Sequence, residues 1–187
     1  DLHRRRRSFP TRRSSDLPLG GGPNALGFKV YRLGEPIVLS DSLPMLEHMG
    51  VRVLGEQNHR IRAEGKSVSL HDFELQAAVA DEIEPEALAR LFEDCFGRVF
   101  RGEVESDDLN KLVLRAGLGA DEIVVLRAYT RYLKQIGFAL SQSAVETTLI
   151  AHPRIARMLV QLFKLARAAV TGKPPTDLGE HGDVRLR

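Results

Sequence analysis

The residues best suited to catalysis or metal binding are the histidines and the single cysteine. Histidine occurs six times, but no pair has the i, i+4 or short-loop spacing that is typical of a metal site. The six are His3, His48, His59, His71, His152 and His181. Cys95 shares an apolar stripe with Phe92 and Phe96, where a thiol behaves as a small hydrophobic side chain. We therefore predict no metal site, and a core position rather than a nucleophilic role for Cys95.

Two short motifs come closer to known sites. His71 and Asp72 are neighbours on a predicted strand, so their side chains point to opposite faces and cannot form a catalytic dyad without a local bend. We predict a structural or inter-domain hydrogen-bonding role for this pair. The segment 20–25 satisfies the pattern G-x-G-x-x-A, but no strand precedes it and Pro23 is poorly suited to a phosphate-binding helix start. We therefore predict no nucleotide site there.

The composition is that of a chain that can bury a core. Of the 187 residues 43% are hydrophobic, yet no apolar run approaches the roughly 20 residues that a membrane-spanning helix needs. No secretory signal is visible, and a single cysteine cannot form an intrachain disulfide. These features predict a cytoplasmic protein without a membrane partner.

The basic residues are concentrated at the amino-terminal end. Six of the 27 basic side chains lie in residues 1–17; without this segment 21 basic and 23 acidic side chains remain. An arginine cluster can bind nucleic acid. However, Ser8–Leu17 (SFPTRRSSDL) matches one reading frame of a common sequencing-library adapter. We therefore interpret residues 1–17 as an assembly artefact without fixed structure, expect no nucleic-acid partner, and expect the chain to be an internal fragment of a longer protein.

Residues 27–76 combine strand and helix patterns. Apolar and polar residues alternate in three short runs, which predicts half-buried strands, and a helical spacing of apolar residues follows the first run. Ser40 or Asp41 is the expected N-cap of this helix. The predicted elements are a linker at 18–26, strands at 28–33, 51–54 and 68–75, a helix within 37–50, and a polar hairpin or loop at 55–66.

Residues 82–170 have a helical period throughout. The clearest stripe runs from Leu88 to Phe100, and Ser106 is the expected cap of the next, short helix. Further helices are predicted at 121–136, 141–151 and from Pro153 to just before Gly172, the last with Ile155, Leu159, Leu162, Phe163 and Ala166 on one face. Short connections favour a bundle. The predicted fold class is thus α+β, a small strand-helix-strand-strand unit followed by an all-helical bundle, with residues 171–187 as a tail or linker.

Several separated motifs together resemble one family. They are an aliphatic-His-Asp-Phe run at Leu70–Phe73, F-R-G-E at Phe100–Glu103, N-x-L-V-L-x-A-G-L at Asn110–Leu118 and L-R-A-Y-x-R-Y-L-x-Q at Leu126–Gln135. In this order they resemble the large bacterial NAD-specific glutamate dehydrogenases, over about Phe28 to Phe163. The resemblance implies a third ACT-like module at 27–76 and a helical motif after it, both before the catalytic domain.

The same resemblance implies a parent enzyme that converts L-glutamate and NAD to 2-oxoglutarate, ammonium and NADH. The family's catalytic lysine, aspartate and dinucleotide-binding loop find no match here, so we assign no catalytic or cofactor-binding residue and expect NAD to bind elsewhere in the parent. The expected partners are the rest of the parent chain and the subunits of a homo-oligomer.

An ACT module typically binds amino acids at its first loop. The resemblance therefore makes Gly34, Ser40 and Asp41 the candidate effector-binding residues, with an amino acid as the effector. A second interpretation stays open, in which the chain is a stand-alone amino-acid-sensing module with a helical adaptor.

Overall fold

The structure, a computed structural model, describes residues 25–63, 66–77 and 85–172. The artefact interpretation of residues 1–17, most of the predicted linker and nearly all of the predicted tail fall outside these ranges. The elements are β1 (Ala25–Leu33), α1 (Leu39–His48), β2 (Val51–Ala63), β3 (Lys66–Ala77), α2 (Pro85–Phe100), a 3-10 helix (Asp108–Lys111), α3 (Leu112–Ala116), α4 (Ala120–Gln135), α5 (Gln142–Ala151) and α6 (Pro153–Thr171). The predicted α+β class is confirmed.

The three strands form one antiparallel sheet in the order β1-β3-β2. In this register His71 of β3 pairs with Val30 of β1 on one side and with Asn58 of β2 on the other. Of the two alternatives for residues 55–66, the hairpin is correct, because β2 and β3 remain paired nearly to their connection, with one irregularity between Val53 and Gly55. Most of this part of β2 is exposed, which explains why its sequence is polar.

Helix α1 begins earlier than expected. Val38 occupies the N-cap position without a side-chain hydrogen bond, so the prediction that Ser40 or Asp41 caps the helix is wrong. The backbone of Ile37 is held by the sheet, which sets the direction of the chain before the helix starts. As a result Pro44 lies inside the helix and not in its first turn. The buried side of α1 includes Leu46, as the apolar spacing predicted.

Helix α2 packs on the sheet through aromatic rings. The ring of Phe28 on β1 meets Phe92 and Phe96 edge-on, at centroid distances of 5.2 and 5.0 Å. Such edge-to-face pairs stabilise beyond the burial of their area. Cys95 is buried beside them, in agreement with its predicted core position.

One hydrophobic core runs from the sheet into the helices. Its members include Val30 and Phe73 of the sheet and, at the other end, Leu112, Ala156 and Val160. The residues predicted as two modules, 27–76 and 82–170, therefore bury their apolar surfaces together.

A buried arginine organises the helical part. Arg127 of α4 donates two hydrogen bonds to Asp107, at 2.6 and 2.9 Å, and one to Asn110 Oδ1 at 3.0 Å. Burial alone lowers the pKa of Arg127, but the hydrogen bonds and charge of Asp107 outweigh it and raise the pKa, so the guanidinium stays charged. Asp107 is also the residue that caps the 3-10 helix. The prediction that Ser106 caps this segment is wrong, since the Ser106 hydroxyl bonds to His48 instead.

Helix α6 has the predicted apolar face, but this face is turned away from the core. Ala156 and Val160 are buried, whereas Ile155, Leu159 and Leu162 are exposed. The predicted apolar stripe is present, but periodicity shows only that a face is apolar and not what covers it.

We expect Arg127→Met to lower the free energy of unfolding by about 2–3 kcal/mol, because it leaves the buried Asn110 and the half-buried Asp107 without their donor. The matched control is Arg131→Met on the same helix, where an exposed pair with Glu105 is lost and the expected change is under about 1 kcal/mol. Chemical denaturation measures both. Equal losses in the two variants would contradict the role given to Arg127.

Burial, with a smaller contribution from Asp94, raises the pKa of the Cys95 thiol from 9.0 to about 11. The protonated thiol is therefore favoured in the folded state, and this contribution to stability is fully present below pH 9.0 and is lost as the pH rises towards 11. We expect the free energy of unfolding to fall more steeply over this interval in the wild type than in Cys95→Ala. Parallel pH profiles would show that the thiol is accessible to solvent in the folded protein.

Candidate functional site

The candidate site is the loop between β1 and α1, residues 34–38, together with the polar side chains of the sheet beneath it. His71 of β3 lies at its centre and is 1% exposed. Alternation along the sheet brings Glu56 and Asn58 of β2 to the same face as His71.

The contacts of His71 define its tautomer. Its Nε2 accepts a hydrogen bond from the backbone N–H of Ile37 at 3.0 Å, and a backbone amide can only donate. The ring proton is therefore on Nδ1, which donates to Glu56 Oε1 at 2.8 Å. The amide of Asn58 also lies 3.3 Å from Nε2. The imidazole is thus neutral and fixed in orientation by three neighbours.

This geometry anchors the loop. A His–carboxylate pair can serve as a general base when its outer nitrogen faces a substrate. Here that nitrogen is already used by the backbone of Ile37, so His71 connects the loop to the sheet. Asp72 points to the opposite face and pairs with Lys29 at 3.3 Å. The predicted structural hydrogen-bonding role of His71, and the absence of a His71–Asp72 dyad, both agree with these contacts.

The candidate effector residues lie at the surface of the same loop and helix. Gly34 has a φ of +92°, a value that L side chains rarely adopt, and its N–H donates to the Ser67 carbonyl at 2.8 Å. Ser40 and Asp41 are exposed in the first turn of α1. Gly34 thus begins the connection that His71 holds, Ser40 and Asp41 follow it in α1, and the effector role of all three stays a prediction.

The glycine pattern at 20–25 is followed directly by a strand. A dinucleotide-binding glycine motif leads from a strand into a helix, whose amino terminus receives the pyrophosphate. Here the end of the pattern at 20–25 leads into strand β1.

Among residues 25–63, 66–77 and 85–172, no group of three or more His, Cys, Asp or Glu side chains is arranged to hold a metal ion. In that part of the chain no helix is both long and apolar enough to cross a membrane.

Sequence reasoning missed the partners of His71 and the burial of Arg127. Glu56 and Asn58 appeared to be ordinary polar residues of a hairpin, and only the register of β2 against β3 brings them to His71. Arg127 was not singled out, because an arginine one residue after Leu126 fits a solvated face as well as a buried one.

We expect His71→Ala to destabilise the protein by about 2–4 kcal/mol, through a cavity and an unsatisfied Ile37 amide. Hydrogen exchange at the Ile37 amide should accelerate more than exchange in the helical part. His59→Ala, an exposed histidine on β2, is the control and should change stability by less than about 0.5 kcal/mol. Unchanged exchange at Ile37 in His71→Ala would contradict the anchoring role.

Comparison with known proteins gives the family. Residues 14–88 match the family model "Glutamate dehydrogenase, ACT3 domain", and residues 104–167 match "Glutamate dehydrogenase, helical motif 3". The chain is also similar to curated NAD-specific glutamate dehydrogenases. It is 42% identical to that of Halomonas elongata over 146 residues, 40% to that of Pseudomonas aeruginosa over 148 and 39% to that of Mycobacterium tuberculosis over 137.

These matches cover 78%, 79% and 70% of the chain, but only 9%, 9% and 8% of the respective relatives. The chain therefore spans less than a tenth of the length of the relatives it matches. The resemblance seen in the motifs is confirmed, and so is the order of an ACT-type module before a helical motif. The chain belongs to the NAD-specific glutamate dehydrogenase family, as a segment that carries its ACT3 domain and helical motif 3.

Proposed function

We propose that this chain is a non-catalytic structural and regulatory segment of an NAD-dependent glutamate dehydrogenase. The parent enzyme converts L-glutamate and NAD to 2-oxoglutarate, ammonium and NADH, and binds NAD outside this segment. The parent activity is supported by the similarity to NAD-specific glutamate dehydrogenases of three bacteria. Its partners are the rest of the parent chain and homo-oligomer subunits, and the single buried cysteine suits a reducing cytoplasm.

One observation carries the proposal. Two buried polar side chains that could take part in chemistry instead connect segments of the chain. His71 binds the backbone of Ile37, and Arg127 binds Asp107. The hydrogen-bond donors and acceptors of such a side chain are already satisfied inside the protein, so the side chain holds neighbouring segments in place.

The second candidate, an amino-acid-sensing module, is favoured by the start of α1. This helix has no side-chain hydrogen bond at its N-cap Val38, so a ligand carboxylate could accept from its first amides, while Asp41 could bind an ammonium group. Gly34, Ser40 and Asp41 are the residues we assign to such an effector. As part of the parent enzyme, this site would make the segment regulatory; alone, it would make the chain a sensor.

We expect the purified 187-residue chain to give no NADH absorbance with L-glutamate and NAD, whereas the full reading frame that contains it should give glutamate-dependent NADH. Turnover by the chain alone would contradict the non-catalytic role. A full reading frame without such turnover would contradict the parent activity.

The same preparation tests the effector site that both candidates share. Isothermal titration with L-glutamate and other amino acids should give heat that Asp41→Ala removes, while Glu47→Ala, an exposed carboxylate farther along α1, should leave it intact. The absence of heat up to millimolar amino acid would leave scaffolding as the role of this loop.

A further inference from the structure

Helix α6 presents an apolar face to solvent along nearly its whole length. Six large side chains on this face are between 44% and 88% exposed, while the opposite side of the helix buries Ala156 and Val160 almost completely. The six are Ile155, Met158, Leu159, Leu162, Leu165 and Val170. A contiguous apolar surface of this kind is typical of a contact site and is unusual on a free surface. We call these six residues the α6 ridge.

The charged groups of α6 lie away from the ridge. On the packed side, the Arg157 guanidinium donates to the Ala116 carbonyl at 2.9 Å, and Lys164 pairs with Glu122 at 2.7 Å. At 3.6 residues per turn the ridge falls on one arc together with Ala166 and Ala169, and no charged residue shares that arc.

The spacing of the ridge indicates what kind of surface it contacts. Ile155, Leu159, Leu162 and Ala166 follow one another at steps of four, three and four residues. Alternation of three and four residues keeps a seam facing one neighbouring helix along its length. A helix, rather than a strand edge or a small molecule, is therefore the matching occupant.

We propose that the α6 ridge is the docking site for a helix of the parent polypeptide that lies outside these 187 residues. The inference rests on the proposed function, since it takes the chain as part of a larger enzyme. More than nine-tenths of the length of the matched relatives lies beyond the aligned segment, so most of the surface that could cover the ridge is not in this chain.

Charge describes the partner further. α6 contains four basic side chains and no acidic one, namely Arg154, Arg157, Lys164 and Arg167. Arg157 and Lys164 are bound on the packed side, so Arg154 and Arg167 are the basic residues that flank the ridge. Two copies of α6 laid side by side would bring these like charges together, which is unfavourable. The partner helix therefore has an apolar seam with carboxylates along its edges, and a second copy of α6 is a poorer match.

The native methionines provide the test without any substitution. Met158 on the ridge is 64% exposed, while Met49 in the core is 0% exposed and serves as the internal control. Dilute hydrogen peroxide followed by peptide mass spectrometry should oxidise Met158 quickly in the 187-residue chain and about tenfold more slowly in the full-length polypeptide. Met49 should be protected in both. Equal oxidation of Met158 in the two proteins would overturn the proposal.

A substitution tests the same contact from the other direction. Leu162→Glu in the full-length polypeptide should restore fast oxidation of Met158, whereas Ile61→Glu, an exposed apolar residue on the β2–β3 hairpin, should not. If the 187-residue chain already protects Met158 and sediments as a dimer that Leu162→Glu dissociates, the occupant is a second copy and the proposal is wrong.

These outcomes are independent of the parent activity. Protection of Met158 is read from the polypeptide whether or not it turns over glutamate. Turnover with an unprotected Met158 would contradict only the docking, and protection without turnover would contradict only the proposed function.

Discussion

The contact of Phe28 with Phe92 and Phe96 is the interaction on which the rest of the structure depends. It joins β1 to α2, the first helix that follows the sheet in the chain. A small sheet is stabilised when its apolar face is buried, and here packed helices cover that face. Because α2 supplies this cover and also contacts α3 and α4, the strand-containing unit and the helical unit share one core.

Two polar contacts then position segments that apolar packing alone would leave loose. His71 connects the β1–α1 loop to the sheet, and Arg127 holds the segment around Asp107 and Asn110 against α4. Each buried polar group is costly unless its hydrogen bonds are satisfied, and each here is satisfied by several neighbours. Such contacts specify a single arrangement of the chain, which suits a segment whose proposed role is to position other parts of an enzyme.

Helix α6 differs from the rest because its packing is one-sided. It buries Ala156 and Val160, whereas the six larger side chains of the α6 ridge face solvent, the reverse of what a helix at the edge of an isolated domain normally shows. This exposed apolar face is explained if the domain is one part of a much longer polypeptide. The chain aligns with only 9% of the length of two of its relatives, and α6 is the surface where the rest of such a polypeptide would pack.

The sequence by itself determined the fold class, the order of the elements and the family, because hydrophobic periodicity and the spacing of motifs such as Asn110–Leu118 are local properties of the chain. It also determined that His71 and Asp72 act on opposite faces. Only the tertiary structure decided where α1 begins, that Glu56 and Asn58 meet His71, that Arg127 is buried, and that the apolar face of α6 is exposed. The reason is physical: periodicity reports which side of an element is apolar, whereas burial and hydrogen-bond partners depend on strand register and on neighbours that are distant in the chain.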